Sequence, residues 1–301
     1  MIEYDLDKNI LEKNVSKEKI NLCLGFFDGL HVGHKFLIQQ AKSPKAKLAV
    51  LTFDGSLKQI TKRRKEGLIT TVDDRRECLT DLNVDFLYVI NFTYEVMQMS
   101  PVDFIQKYLK ALNINQIYVG EDFRFGRKAK GDINLLKQYF DVQVVNYILD
   151  NGKKISTSTI IKYIVDGEIM RANRLLGRDY FIKGQVVHGF KVGTTQTGFP
   201  TANIAMIDDY VVPQNGVYAT RIEIDGKTYA SMTNVGVHPT INKLKSPIIE
   251  TNIFDCYSDI YGKKVKLFFV KYIRHEKKFK SIDQLKKQLI DDRENIRQAL
   301  D

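Results

Sequence analysis

Two histidines three residues apart, His31 and His34, lie in the stretch GFFDGLHVGHKFLIQQAK (residues 25–42) among Gly25, Gly29 and Gly33. The whole chain holds only five histidines. Closely spaced glycines let a backbone turn sharply and approach a ligand. Upstream, INLCLGFF reads as a buried apolar strand, and downstream HKFLIQQAK has helical spacing. The pair therefore falls where a strand hands over to the N-terminal end of a helix, a favourable place for an anion. Facing a phosphate chain, two imidazoles and a helix N-terminus can stabilise charge developing on a bridging oxygen. Positioning and electrostatics then suffice, and no covalent intermediate is required. The competing readings are a metal pair and packed core histidines. A metal pair needs a third ligand, and no nearby cysteine or carboxylate presents one at helical spacing. Core packing explains neither the glycines nor Asp28.

Three other stretches carry residues of chemical interest. In GEDFRFGRKAKGD (120–132), Gly120, Gly126 and Gly131 make a loop, and Phe123 and Phe125 alternate on one face. A flat ring can stack on that face, or the core can take both aromatics. Arg124, Arg127 and Lys128 can meet phosphates or face water. ISTSTI (155–160) sets Ser156, Thr157 and Ser158 at a helix start, where hydroxyls cap the helix or hold phosphate oxygens. In GFPTANI (198–204), Thr201 and Asn203 alternate along an extended segment and so share a face. A hydroxyl and an amide oxygen make neutral ligands for a magnesium ion already bound to phosphates, or simply an exposed polar face.

The elements that must position these residues fall into two rhythms. Up to about residue 150, the strand candidates KINLCLGFF, KLAVLTF, VDFLYVINF, INQIYVG and DVQVVNYIL alternate with helical stretches. Their near-continuous apolar character predicts a doubly wound parallel α/β sheet, with its ligand at the carboxyl ends of the strands. SPVDFIQKYLKALN shows helix start signals in Ser100, Pro101 and Asp103. ISTSTIIKYIVDGEIMRANRLLGRDY supplies one or two helices leading out of that sheet. From about Lys183, KGQVVHG, GVYATRIEI, KTYASMTNVG, PIIETNIFD and KKVKLFFVKYI are strand-like, and IDGK (224–227) is a hairpin turn. They predict a small antiparallel β-barrel, followed by an amphipathic C-terminal helix with Ser281 as cap. The expected domains are residues 1–182, linker helices included, and 183–301.

GFFDGLHVGH resembles the G-x-F-D-G-x-H-x-G-H signature of nucleotidylyltransferases as carried by prokaryotic FAD synthetases. GEDFRFGRKAKGD is similar to that family's second nucleotide-site motif, and ISTSTI resembles its S-S-T-x-I-R element. GFPTANI resembles the Pro-Thr-Ala-Asn motif of riboflavin kinases, and NGVYAT, TNVGVHPT, IIETNIFD and IYGKKVKLFFVKYIRHEKKF match further elements in order. The resemblance covers nearly the whole chain. It implies a nucleotidylyltransferase-type sheet domain and a bifunctional riboflavin kinase and FMN adenylyltransferase, which makes FMN from riboflavin and ATP, then FAD from FMN and a second ATP. By the same resemblance His31, His34 and Glu250 are catalytic, Glu250 as general base. Gly25, Phe26, Asp28, Gly29, Gly33, Gly120, Asp122, Phe123, Phe125, Gly126, Arg127, Ser156, Thr157 and Ser158 bind the nucleotide. Gly189, Gly193, Gly198, Pro200, Thr201, Asn203 and Arg274 bind ATP or flavin in the kinase half, and Thr201 and Asn203 hold Mg²⁺. Three places depart from the pattern. The family arginine aligns with Ile161, beside Lys162; Asp54, Gly55 and Ser56 replace a Pro-His-Pro; and FKVGTTQTG (190–198) is longer by one residue, with Phe190 and Val192 where small or basic residues are usual. They motivate the alternative that only one of the two activities is efficient.

With 301 residues, 44% hydrophobic and 27% charged, the chain is long enough for two cores. Hydrophobic runs stop short of a membrane span, and the first twenty residues are too charged for a signal peptide, so the cytoplasm is expected. Cys23, Cys78 and Cys256 are widely spaced and odd in number, which fits neither a disulfide framework nor a zinc site. A formal charge of +10 suits nucleic acid or smaller phosphate ligands. The runs KRRK (62–65), RKAK (127–130) and RHEKKFK (274–280) are scattered like a solvated surface, so flavins and ATP, rather than nucleic acid or a membrane, are the expected partners.

Overall fold

The computed structural model describes residues 1–12, 15–55, 66–187, 198–237, 247–256 and 258–300. The chain divides into two compact units, Met1–Thr157 and Ser158–Asp301.

In the first unit a short strand β1 (Ile2–Asp5) and helix α1 (Leu6–Leu11) precede β2 (Ile20–Leu24), α2 (Val32–Gln40), β3 (Lys47–Asp54), α3 (Val72–Asp81) and β4 (Phe86–Asn91). Two short helices follow, α4 (Tyr94–Gln98) and α5 (Pro101–Phe104), the second widening into a π turn over Ile105–Leu109. Then come β5 (Ile114–Gly120), α6 (Ile133–Lys137), β6 (Val142–Val145) and a small hairpin of β7 (Leu149–Asp150) and β8 (Lys153–Lys154). The six-stranded sheet has the order β1-β4-β3-β2-β5-β6, with every neighbour parallel. The apolar runs explain it. Leu22 and Leu24 of β2 enter one core with Leu51, Tyr88 and Phe104, while Cys23 enters another with Val50, Leu87 and Ile38. Both faces are thus covered, as continuous apolarity demands of a parallel strand. Strand order reverses between β2 and β5, which opens a crevice at their carboxyl ends.

Two details differ from the sequence reading. β1 was not among the expected strands: it is four residues long, mostly exposed, and defined only by its parallel pairing with β4. DVQVVNYIL does not run on as one strand. It leaves the sheet after Val145, and Leu149–Asp150 turns back through Asn151 and Gly152, both at positive φ (49° and 74°), to pair with Lys153–Lys154. The expected cap at Ser100 is present, its side chain accepting from the Asp103 N–H at 3.1 Å.

In the second unit, helices α7 (Thr157–Val165, beginning at the boundary) and α8 (Ile169–Leu176) lead to β9 (Tyr180–Val187), β10 (Ala202–Met206), β11 (Gly216–Ile224), β12 (Lys227–Val237), β13 (Pro247–Ile253), β14 (Lys264–Arg274) and helix α9 (Ile282–Leu300). The strands close into an antiparallel barrel in the order β10-β13-β12-β11-β14-β9. β11 and β12 meet through Asp225 and Gly226, both at positive φ, the two-residue turn that the Asp-Gly pair predicts. Alternate residues point inward, among them Tyr218, Ile222 and Leu267, all buried. Val217, Ala219 and Met232 point outward to meet Ile296 of α9. Ser281 caps α9, accepting from the Gln284 N–H at 3.3 Å. The unit boundary falls ahead of the expected 182/183 division because α8 packs on β9 and β14.

Candidate active sites

The turn after β2 carries the first constellation. Phe27, Gly29 and Leu30 all take positive φ there, +80° at Gly29, so the chain doubles back before the helix starts. The buried Asp28 carboxylate holds this turn, accepting from the backbone N–H groups of Ile69 (3.0 Å) and Thr70 (2.9 Å). Thr70 Oγ1 in turn accepts from the Gly29 N–H at 2.7 Å. The turn delivers His31 as the N-cap of α2, its Nδ1 accepting from the His34 N–H at 3.3 Å. The two imidazoles stack with ring centroids 3.6 Å apart, and Phe27 meets His34 edge-on at 5.2 Å. Burial, followed by the neighbouring charges of His31, Arg75 and Lys154, lowers the His34 pKa well below the ordinary histidine value. His34 Nδ1 is buried with no hydrogen-bond partner among the described residues. The result is a neutral imidazole with a polar atom left over, at the positive end of a helix.

A cavity of about 270 Å³ opens beside this pair. Gly25, His31, Gly33, His34, Gly120, Asp122, Phe123, Ser156 and Thr157 of the expected nucleotide residues line it. These come from the ends of β2, β5 and the segment before α7, so the fold gathers stretches more than 90 residues apart onto one crevice. Thr157 Oγ1 donates to the Asp28 carbonyl at 3.2 Å, tying that last segment to the turn. Six expected residues of this unit lie away from the cavity lining: Phe26, Asp28, Gly29, Phe125, Gly126 and Arg127. The Phe125 side chain is core, buried against Phe104 and stacked on Phe123, so of these two phenylalanines it is Phe123 that offers a ring to the cavity. Gly126 is required by its φ of +70° and by Pro101, whose backbone nitrogen would lie 2.8 Å from an added Cβ. Ser158 opens the second unit.

Sequence reasoning missed Tyr147 and Lys154, which complete the cavity wall. The Lys154 ammonium lies 3.9 Å from the centroid of the Tyr147 ring and pairs with the Asp122 carboxylate. Burial raises the Asp122 pKa, but hydrogen bonds from Lys154 and Tyr147 outweigh it and leave the group below the ordinary value. The Asn-Gly pair at 151–152 was the available signal, since such a turn folds Lys154 back beside its own strand. Arg75 was also missed. Fully buried, its guanidinium donates to the carbonyls of Phe26 (2.6 Å), Phe53 (3.0 Å) and Thr71 (3.2 Å), fixing the turn from beneath. Of the departures, Ile161 is buried in α7, and Asp54 Oδ1 accepts from the Gly55 N–H at 2.7 Å; Ser56 lies outside the described residues.

The second constellation lies on the barrel wall. Asn203 of β10 stands directly opposite Glu250 of β13, which stands opposite Asn234 of β12. Cross-strand partners share a face, so an amide and a carboxylate expected in one site are immediate neighbours. Thr201 and Pro200 lead into β10, after Gly198 at a φ of +76°. Gly189 and Gly193, with most of the 190–198 loop, lie outside the described residues. Arg274 ends β14, and its guanidinium is taken up by the buried Asp292 of α9 (2.6–3.0 Å) and the His275 carbonyl (2.9 Å).

Comparison with known proteins follows the same division. Residues 13–159 match the FAD synthetase family and residues 176–300 the riboflavin kinase family. A bifunctional riboflavin kinase/FMN adenylyltransferase from Listeria monocytogenes is 36% identical, the match covering 92% of this chain and 91% of the relative. The chain belongs to that family. The Bacillus subtilis member is 37% identical over 91% of this chain and 90% of its own. A solved Streptococcus pneumoniae structure, described as a macrolide-efflux protein, superposes with a TM-score of 0.88 at 33% identity, covering 98% of each chain. Among the described residues here, no helix is long and apolar enough to cross a membrane. As a family member the chain is a transferase with a kinase half and a nucleotidyltransferase half.

Proposed function

We propose that this chain makes FAD from riboflavin at two separate centres. The barrel unit phosphorylates riboflavin to FMN with ATP, and the parallel-sheet unit adenylylates FMN to FAD with a second ATP. The observation that carries the first assignment is the stacked His31–His34 pair at the N-terminus of α2, beside the cavity at the crevice where strand order reverses.

In adenylyl transfer a phosphate oxygen of FMN attacks the α-phosphorus of ATP. The bond to the bridging oxygen breaks, and its electron pair leaves with pyrophosphate. His34, held neutral by burial, and His31 at the N-terminus of α2 face the charge that develops on that oxygen. The Ser156 and Thr157 hydroxyls and the Lys154 ammonium supply further contacts to phosphate, and Phe123 presents a ring to a flat base.

In the barrel Glu250 takes the proton from the ribityl hydroxyl as its oxygen attacks the γ-phosphorus, and ADP leaves. Among the described residues no three His, Cys, Asp or Glu side chains gather as a metal cage. The barrel edge offers a Thr201 hydroxyl and an Asn203 amide oxygen beside one carboxylate, a hard-oxygen set that suits Mg²⁺ carried mainly by phosphates. When bound, the ion neutralises charge on the transferring phosphate. Gly198 and Pro200 shape the approach, with Arg274 near the flavin end. Residues 1–182 and 183–301 are the proposed functional extents, the cytoplasm the proposed compartment, and flavins and ATP the proposed partners.

Incubating the protein with ATP, Mg²⁺ and either riboflavin or FMN, and separating the products, tests both halves. His34→Ala is expected to slow FAD formation by about two orders of magnitude while sparing FMN formation. Glu250→Gln or Asn203→Ala should reverse that pattern. Equal loss of both steps from either change, in folded protein, overturns the two-centre reading. Ile161, apolar and buried at the family's arginine position, favours the second reading of one efficient activity. In that case wild-type protein converts only one of the two substrates.

A further inference from the structure

The three residues that begin with Glu250 are each tied to a different part of the barrel. Glu250 faces Asn203 across the β10–β13 pairing. Asn252, on the same face two residues on, is 6% exposed and donates from Nδ2 to the Pro200 carbonyl at 2.6 Å, bridging 52 residues of sequence. Between them Thr251 points inward, opposite Ala202, and ends a chain of buried hydroxyls. Its Oγ1 meets Thr233 Oγ1 at 3.0 Å, Thr233 meets Thr220 at 2.7 Å, and Thr220 meets the Ser231 hydroxyl at 2.8 Å. All four hydroxyl residues are completely shielded from water.

Four hydroxyls inside a barrel are costly unless mutually satisfied, and here they are satisfied across three strands. The hydroxyl chain holds only in one register, because a one-residue slip turns every side chain to the other face. It therefore locks β11, β12 and β13 to one another, while Asn252 locks β13 to the segment before β10. The Pro200 carbonyl belongs to the peptide that carries the Thr201 nitrogen. Fixing that peptide plane fixes where Thr201 starts.

We propose that Asn252, backed by the Thr251–Thr233–Thr220 hydroxyl chain, is a positioning residue for phosphorylation in the barrel. It sets the Pro200–Thr201 peptide against the strand that carries Glu250. Asn252 touches neither substrate nor reacting atoms and acts through Thr201 and Glu250. This inference rests on the reading of those two residues given above. Misplacement by about 1 Å costs roughly a hundredfold in rate, so loss of this single bond registers in turnover.

Asn252→Leu keeps the side chain's bulk and removes the donor, and Asn252→Gln keeps an amide. In Asn252→Leu, kcat for FMN formation is expected to fall 10- to 100-fold, ADP affinity by calorimetry to weaken several-fold, and FAD formation from FMN to stay unchanged. Asn252→Gln should recover a substantial part of both losses. Thr233→Val, isosteric with the native residue, should lower kcat with KM for riboflavin unchanged, against Thr233→Ser near wild type. A Leu variant that melts earlier, yet turns over riboflavin and binds ADP normally at a temperature where it is folded, shows a purely structural bond and overturns the proposal. Glu250→Gln is run alongside. If it leaves FMN formation intact, the reading of the centre itself is wrong; if it abolishes FMN formation while Asn252→Leu does not, only the positioning role fails.

Discussion

At the scale of single residues, the proposed chemistry depends on groups whose ordinary protonation has been altered by their surroundings. His34 is the clearest case. Burial, then the charges of His31, Arg75 and Lys154, disfavours its cation in the folded state. An unfolded histidine accepts a proton near pH 6.5, so below that pH the unfolded chain binds a proton that the folded chain resists. Stability contributed by a neutral His34 is therefore complete above about pH 6.5 and is lost as pH falls, at up to about 1.4 kcal/mol per pH unit. Urea unfolding of the sheet unit at pH 7 and pH 5 should show this loss, and His34→Gln should show a smaller one. A variant with the same acid sensitivity as wild type would remove His34 as its source. Cys23, by contrast, is a thiol that burial pushes far up in pKa, packed in the core and out of the chemistry.

Elements carry the next layer, because each side chain proposed to react is aimed by a specific turn or strand pairing. The β2–α2 turn keeps its shape through the Asp28 contacts to Ile69 and Thr70 above and the Arg75 guanidinium below. In the barrel, α9 is pinned to the end of β14 by Arg274 and Asp292, the latter 1% exposed and also accepting from Gln288 at 2.9 Å. Breaking a buried pair strands its partner charge, typically at 3–5 kcal/mol. Asp292→Asn is thus expected to destabilise the barrel unit by about 3 kcal/mol, measured by denaturant unfolding. A change below about 0.5 kcal/mol would mean that Arg274 finds water or another acceptor instead. Arg274, expected beside the flavin, already has a structural partner in this helix.

For the whole molecule, two compact units with separate cores predict two separable losses of function. In increasing urea, FAD formation from FMN and FMN formation from riboflavin should fail at different midpoints. Asp292→Asn should move only the second. Coincident midpoints that shift together would show the units unfolding as one.

Much of this was legible from residue order alone. Continuous apolar runs announced β2 to β5, because burial on both faces leaves no polar phase along a strand. Asp225-Gly226 announced a hairpin, because a two-residue turn needs positive φ at both positions. The histidine pair and the Thr201–Asn203 pair pointed to the two proposed phosphate-handling centres, because both depend on spacing within one short stretch. What sequence could not decide was whatever depends on pairing between distant stretches. The edge strand β1 has no pattern of its own and exists through β4. Phe125 belongs to the core and Phe123 to the cavity, a choice made by Phe104 rather than by their shared alternation. Arg75 reads as one more surface cation in a charged helix until the fold closes three carbonyls around it. Asn203 and Glu250 became neighbours, and Asn252 found Pro200, only when β10 paired with β13. Periodicity records what each residue's immediate surroundings demand, whereas these contacts arise from strand order and register, which are properties of the assembled sheet and the closed barrel.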